Sequence, residues 1–231
     1  MYTKRACTNC VDCQDKSALF KILSTEELSF INEKRYSIQY KAGEVILKQG
    51  TVANQIVNLV NGFAKLVFEG DGNRNLILSF VKPWNILGGP GIHTDLKHHY
   101  SVIALEDSLV CFMDADKFRK LLRENSKFAN SFIVNLSHKT IYDFNRLFSL
   151  TQKQMHGRMA DGLILLAEKT YRSHRFETVI SRQEMADFTA MSKDSAIRIL
   201  KEFERDGVIY LKDKVIEILD MPQLIEISER G

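Results

Sequence analysis

Four cysteines offer soft sulfur ligands, and three of them are grouped near the beginning of the sequence. Cys7, Cys10 and Cys13 are separated by two residues each, whereas Cys111 lies far along the chain. Such gaps are typical of cysteine runs that bind iron–sulfur clusters, and the same thiolates can bind zinc. The grouping also fits a reducing compartment better than a disulfide framework. The cysteines therefore predict a metal or redox site, and a metal-free chain with a merely buried Cys111 stays open as the alternative.

A second set of chemically capable residues lies on one face of a predicted helix that begins at Ser192 and ends near Asp206. At about 100° per residue, four apolar residues share the face that a core would bury. These are Ala196, Ile199, Leu200 and Phe203. The opposite face carries Asp194, Ile197, Arg198 and Lys201. Arg pairs with guanine, Asp accepts a hydrogen bond from cytosine N4, and an aliphatic side chain contacts the thymine methyl group. The helix is therefore predicted to read base pairs in a DNA major groove, with a solvated charged face as the alternative.

The residues around this helix predict a winged helix-turn-helix. Ser181 and Ser192 are suited to cap two short helices, the first over residues 182–188, and a short turn joins them. A hairpin follows, and lysines at such a turn commonly lie close to backbone phosphates. The predicted DNA contacts are Ser181, Arg182, Ser192, Lys193, Asp194, Ser195, Ile197, Arg198, Lys201 and Lys212.

Ahead of this region the chain is rich in turns, because eight of its twelve glycines lie between Gly43 and Gly91. Between the glycines, short β-branched and aromatic runs predict strands, and many short strands at close spacing indicate an antiparallel β-roll of the jelly-roll kind. Ser24 and Glu27 have capping-box spacing and predict a short helix before the roll. The predicted fold class is α+β.

From about Lys127 to Met155, apolar residues recur at alternating steps of three and four. They are Val134, Ile141, Phe144, Phe148 and Met155, with Ser137 and Thr151 at the intervening positions. This is a heptad seam, typical of helices that pair with a second copy. The segment is predicted to form the dimerisation helix of a homodimer, and a helix that packs on its own domain is the alternative.

Length and charge limit the possibilities further. The chain has 231 residues and a net charge of +3, and residues 151–231 hold 13 Lys and Arg against 14 Asp and Glu. Bulk charge therefore does not identify a DNA-binding half. No apolar run is long enough to span a membrane, and no signal peptide is recognisable, so a cytoplasmic protein is expected. The predicted domains are residues 1–125, 126–155 and 156–231.

The segments Arg182-Gln-Glu-Met-Ala to Gly207-Val-Ile and Gly157-Arg-Met-Ala-Asp-Gly-Leu-Ile-Leu-Leu-Ala167 together resemble the CRP/FNR family of bacterial transcription regulators. The similarity extends over nearly the whole chain. It implies an N-terminal β-roll like the cyclic-nucleotide-binding domain, a long dimerisation helix and a C-terminal winged helix-turn-helix. It also implies a non-enzymatic protein that binds a pseudo-palindromic double-stranded DNA site as a homodimer and acts on RNA polymerase.

In the cyclic-AMP-binding branch of that family, a Gly-Glu pair holds the ribose and an Arg-Ser pair holds the cyclic phosphate. The corresponding positions here are Gly88-Gly89 and His98-His99, so the acid and the guanidinium are both missing. The resemblance therefore disfavours cyclic-nucleotide binding. These four residues remain candidates for the pocket of another small anionic effector.

The oxygen-sensing branch binds a [4Fe-4S] cluster through three N-terminal cysteines and a fourth in the roll. Ala104-Leu-Glu-Asp-Ser-Leu-Val-Cys111 resembles the context of the fourth, and Cys10-Val-Asp-Cys13 resembles two of the first three. The family's remaining cysteine falls where this chain has Ala18 and Leu19, so Cys7 would have to replace it from the other side. The candidate ligands are Cys7, Cys10, Cys13 and Cys111.

Two functions of another class compete with a regulator. His93, His98 and His99 could be imidazole ligands in a cupin-like metalloenzyme, and the thiolates could make the chain a redox carrier. Neither explains the C-terminal helix-turn-helix pattern. Retention on specific DNA without turnover of a small molecule separates the regulator from both.

Overall fold

The computed structural model describes residues 9–13, 16–87 and 90–231. The described chain forms two compact units. The first contains the described residues up to Glu69 together with Phe80–Lys139, and the second contains Gly70–Ser79 together with Thr140–Gly231. This division falls inside the long helix, and the predicted boundaries at residues 125 and 155 stay predictions.

Short antiparallel strands build the roll, as the turn-rich sequence predicts, and all lie in the first unit except for residues 76–79 of the fifth strand. The strands are β1 (Tyr36–Tyr40), β2 (Val45–Leu47), β3 (Gln55–Asn61), β4 (Ala64–Phe68), β5 (Leu76–Val81), β6 (Ile86–Leu87), β7 (Ser101–Ala104) and β8 (Ser108–Asp114). One sheet has the order β1-β8-β3-β6 and the other has the order β2-β7-β4-β5. In the β3–β8 pair, Val57 lies opposite Phe112 and Asn58 lies opposite Cys111. The predicted antiparallel roll is confirmed.

Helices cover the strands of this unit. Helix α1 (Thr25–Asn32) begins at the predicted capping box, where Ser24 Oγ accepts a hydrogen bond from the backbone N–H of Glu27. Helix α2 (Ala115–Glu124) follows β8 directly and buries Phe118. The ring of Phe118 packs against that of Phe128, with centroids 5.3 Å apart, and Phe20 lies against both. These aromatic rings anchor a core that also includes Cys111.

The long helix α3 (Ser126–Gln152) ends three residues before the predicted limit. Gln154 is extended, with φ −70° and ψ 170°, and caps the next helix, α4 (Met155–Leu165). Met155 therefore belongs to α4, and its assignment to the heptad seam was wrong because the chain turns between the two helices. Val134, Ile141, Phe144 and Phe148 do lie on α3, and all four are exposed.

The second unit contains the helix-turn-helix. After α4 and a π-helical extension (Leu166–Tyr171) come β9 (Arg175–Glu177), α5 (Arg182–Thr189), α6 (Lys193–Arg205), β10 (Ile209–Lys212), β11 (Val215–Ile218) and α7 (Met221–Arg230). The wing is a three-stranded sheet of order β10-β11-β9. The predicted hairpin is confirmed, whereas β9 was missed because its only apolar residue is Phe176.

The core of this unit lies between α4 and the two helices of the motif. Met159, Leu163, Met185 and Ile199 are almost fully buried there. Among the described residues, no helix is long and apolar enough to cross a membrane.

Candidate nucleic-acid interface and thiol pocket

Two serines fix where the helices of the motif begin. Ser181 Oγ accepts a hydrogen bond from the N–H of Glu184, and the Glu184 carboxylate accepts one from the N–H of Ser181. This reciprocal capping box starts α5. Ala190 then adopts a left-handed conformation (φ 51°), which ends α5, and Ser192 Oγ accepts a hydrogen bond from the N–H of Ser195 to start α6. Both predicted N-caps are confirmed.

Helix α6 has one buried face and one open face. Ala196, Ile199, Leu200 and Phe203 are buried as predicted, because they pack into the core of the second unit. The opposite face borders a shallow open groove lined by Asp194, Ile197, Arg198, Lys201, Glu202 and Arg205. The structure therefore brings together all four residues predicted to face base edges, on a surface that solvent reaches.

An ion pair and a hydrogen bond from a histidine organise the charged side chains of this groove. The Arg198 guanidinium lies 2.8 Å from Glu202 Oε1, and His156 Nε2 on α4 lies 2.7 Å from Glu202 Oε2. The hydrogen bond from His156, with help from Arg198, lowers the pKa of the Glu202 carboxyl. Glu202 and His156 were not predicted from the sequence. The four-residue spacing from Arg198 to Glu202 could have indicated an ion pair on one helix face. His156 gives no such signal, because it is far from Glu202 in the chain.

The other predicted DNA contacts surround α6. Lys193 is exposed on the first turn of α6, and Ser195 is partly buried there. Arg182 is half-buried, and this burial lowers the pKa of its guanidinium. The negative charge of Glu204 acts in the opposite direction. Lys212 is exposed at the end of β10, opposite Val215 in the wing register.

Three of the predicted thiol ligands line one small pocket in the first unit, and the fourth, Cys7, lies outside the described residues. Cys10, Cys13 and Cys111 line this pocket together with Arg35 and Asn58. Arg35 Nε donates a hydrogen bond to Cys111 Sγ over 2.8 Å. Burial raises the pKa of the Cys111 thiol, the Arg35 guanidinium opposes the shift, and Cys13 adds to it.

The pocket also contains buried polar atoms that hold no hydrogen bond. Ser17 Oγ and Asn58 Oδ1 both border it and have no partner among the described residues. Buried polar atoms are normally satisfied, so the pocket is suited to a group that offers hydrogen-bonding atoms. Within the described residues, no three His, Cys, Asp or Glu side chains are assembled as a metal site. The donor types fit a soft metal or cluster, and a full ligand set requires Cys7.

The histidines of the first unit lie in three different environments. His98 is buried, whereas His99 is exposed and lies 3.0 Å from Asp95. The ring of His93 packs on that of Phe132, and burial, followed by the charge of Arg119, lowers its pKa. Although His98 and His99 are adjacent in the chain, one is buried and the other is exposed. They therefore do not form a single site that could hold an anion between them. Gly88 and Gly89, the other candidates for an effector pocket, lie outside the described residues.

An antiparallel β-roll, a long helix with an exposed apolar seam and a winged helix-turn-helix with an open recognition face define a DNA-binding regulator with a sensor domain. The chain matches the cyclic nucleotide-binding domain over residues 37–125 and the Crp-like helix-turn-helix domain over residues 157–227. It belongs to the CRP/FNR family of transcription regulators.

Curated relatives match over most of the chain and most of their own length. The transcriptional activator protein FnrL of Cereibacter sphaeroides is 23% identical over 94% of this chain and 90% of its own length. The transcriptional activator protein Anr of Pseudomonas protegens is 22% identical over 95% and 92%. Electron transport regulator A of Shewanella oneidensis is 24% identical over 86% and 80%.

Solved structures share the fold. FixK2 from Bradyrhizobium japonicum superposes with a TM-score of 0.77 at 15% identity, covering 84% of this chain and 96% of its own. A CooA mutant from Carboxydothermus hydrogenoformans gives 0.75 at 16% identity, covering 95% and 99%.

Proposed function

We propose that the protein is a homodimeric, cytoplasmic regulator that places α6 of each subunit in successive major grooves of a pseudo-palindromic DNA site. The observation that carries the proposal is the division of α6 into a core-facing apolar side and an open side with Asp194, Ile197, Arg198 and Lys201. Each of these side chains matches a base-edge contact by chemistry. Ser181, Arg182, Ser192, Lys193, Ser195 and Lys212 surround that face and act as phosphate contacts, which set register without reading sequence.

The dimer forms through α3. Its apolar residues at heptad spacing remain exposed, among them Ile141, Phe144 and Phe148 at 56%, 66% and 60%. Exposed apolar residues in a row favour a partner surface. A second copy fits because it presents the same seam, and it would supply the second recognition helix that a two-fold DNA site needs.

The DNA-reading role is tested by selection from a random double-stranded library. The purified protein should enrich a pseudo-palindrome whose half-sites are about 34 Å apart, one helical turn. Arg198→Ala should then lose about 1–3 kcal/mol of discrimination at one base pair, because a bidentate contact to a base is removed. Lys193→Ala is the matched control. It should weaken DNA binding equally at all site variants and make the affinity depend less steeply on salt concentration. Uniform weakening by Arg198→Ala would refute direct readout.

We also propose a redox-responsive cofactor in the pocket of Cys10, Cys13 and Cys111. A [4Fe-4S] cluster, with Cys7 as fourth ligand, would supply an oxidant-sensitive link between the N-terminal segment and β8. The Ser17 hydroxyl can donate a hydrogen bond to a group held there, and Arg35 offsets negative charge on sulfur. Relatives named as FnrL and Anr, and one named as an anaerobic regulatory protein from Haemophilus influenzae, support redox control.

Anaerobic purification tests this cofactor. Iron and acid-labile sulfide in equal amounts, with a broad visible absorption that Cys111→Ser abolishes, is the expected result. Zinc without sulfide would show that the thiolates bind a structural metal and not a cluster. Colourless, metal-free protein with reactive thiols would contradict both and leave a small anionic effector near His98 and His99.

The relatives named as transcriptional activators support RNA polymerase as a further partner. Cyclic nucleotides remain disfavoured as the signal, because no acid follows Gly88 and imidazoles replace the Arg-Ser pair.

A further inference from the structure

The two carboxylate oxygens of Glu202 contact side chains on two different helices. Oε1 pairs with the Arg198 guanidinium one turn earlier on α6, at 2.8 Å. Oε2 pairs with His156 Nε2 on α4, at 2.7 Å. The Glu202 carboxylate is therefore held by a side chain of α6 on one oxygen and by a side chain of α4 on the other, although it borders the open groove.

His156 is itself held in place. It is the second residue of α4, and its ring packs on the buried Phe203 ring with centroids 6.1 Å apart. Helix α4 also forms the core of the second unit, through Met159 and Leu163. The imidazole thus connects a side chain of the groove to the buried core of the unit.

An ion pair between exposed residues one helical turn apart is weak, because both long side chains lose freedom and water screens the charges. Glu202 alone would therefore restrain Arg198 poorly. With its second oxygen tied to another helix, the acid keeps one orientation, and the guanidinium beside it loses less freedom when it pairs with a base. The Arg198 guanidinium also compensates an acidic charge that would otherwise repel phosphates.

We propose that His156 is a positioning residue for base recognition, which holds Arg198 through Glu202 in the orientation that reads one base pair. This inference rests on the proposed role of α6 as the reader of the major groove. It concerns specificity and not general DNA affinity.

The test uses the full-length protein and the site selected by the wild type. Discrimination is measured as the dissociation constant for a site with one base pair replaced, divided by the dissociation constant for the selected site. The replaced base pair is the one at which Arg198→Ala loses its preference. His156→Leu should lower this ratio about five-fold, as expected when part of a bidentate contact is lost. His156→Gln should restore it, because an amide N–H can still donate to Glu202. His174→Leu, outside the groove, is the control.

The double variant separates positioning from structure. If His156 acts through Arg198, His156→Leu should change discrimination no further in the Arg198→Ala background. An unchanged ratio in His156→Leu, no rescue by His156→Gln, or a loss that persists without Arg198 would each overturn the inference. These outcomes differ from failure of the proposed function itself, in which the wild type selects no sequence or Arg198→Ala relaxes no base pair.

Discussion

At the scale of single residues, the groove on α6 places the side chains proposed to read bases beside an acidic one. Glu202 would repel DNA phosphates if it were isolated, but the Arg198 guanidinium compensates its charge, and His156 Nε2 lies within hydrogen-bond distance of its other oxygen. The same contacts stabilise the folded state, because they favour the ionised carboxylate. If the proposed role of α6 holds, protein stability and base recognition depend on the same contacts of Glu202.

The lowered pKa of Glu202 gives this pair a defined pH dependence. A carboxyl whose pKa is lower in the folded state stabilises that state above its unfolded pKa of about 4.3, and the contribution disappears as the pH falls through the lowered value. Glu202→Gln should therefore reduce the free energy of unfolding at pH 7, and the difference from wild type should fade below about pH 4. Urea unfolding across this range measures it. Glu229→Gln, at an exposed position, should show no such trend, and an equal pH-independent loss in Glu202→Gln would contradict the assignment.

At the scale of elements, tight turns decide how closely the strands of the roll approach each other. Gly62 connects β3 to β4 with φ +100°, a conformation that other residues adopt only with strain. A Cβ atom there would lie 2.2 Å from Ser108 Oγ, at the start of β8. The turn thus needs glycine both for its backbone and for the space beside it.

Gly62→Ala should lower the free energy of unfolding by about 2 kcal/mol or more, since strain and overpacking combine. Gly43→Ala is the matched control, because Gly43 also has a positive φ (+89°), but a Cβ atom added there would meet none of the described residues around it within 4 Å. The control isolates the strain, and the difference between the two variants measures the close approach. Thermal or chemical unfolding gives both values. Equal losses would show that Ser108 moves aside without cost.

At the scale of the whole molecule, the proposed reading of a two-fold DNA site needs a recognition helix from each of two copies. The seam of α3 is exposed along its length, from Val134 to Phe148. Half-site recognition by one helix is weak, and a second linked helix raises the local concentration of the reader. Pairing through α3 and affinity for the full site should therefore change together.

Phe144→Asp should convert the protein to a monomer, because two carboxylates would have to be buried in the seam. Sedimentation or light scattering should report half the mass, and affinity for the selected palindrome should fall far more than affinity for an isolated half-site. Asn145→Asp adds the same charge at the neighbouring exposed position and should remain dimeric. A Phe144→Asp protein that stays dimeric with full affinity would exclude this seam as the interface.

Residues within a few positions of one another determined much of this protein from the sequence alone. Ser181 and Ser192 cap the nearby N–H groups, and the periodicity of Ala196, Ile199 and Leu200 fixes the buried face of α6. The order of roll, long helix and winged helix-turn-helix followed in the same way. Local hydrogen bonds and helical spacing carry these signals, so no knowledge of packing was needed.

Only the tertiary structure decided which distant residues meet. His156 reaches Glu202, Arg35 reaches the Cys111 sulfur, and the buried Arg146 of α3 stacks on the Phe188 ring of α5. The short strand β9 exists because β11 offers it a hydrogen-bonded edge, and its own residues scarcely favour it. Such pairings depend on how whole elements pack, since burial and distance, not spacing along the chain, determine their free energy.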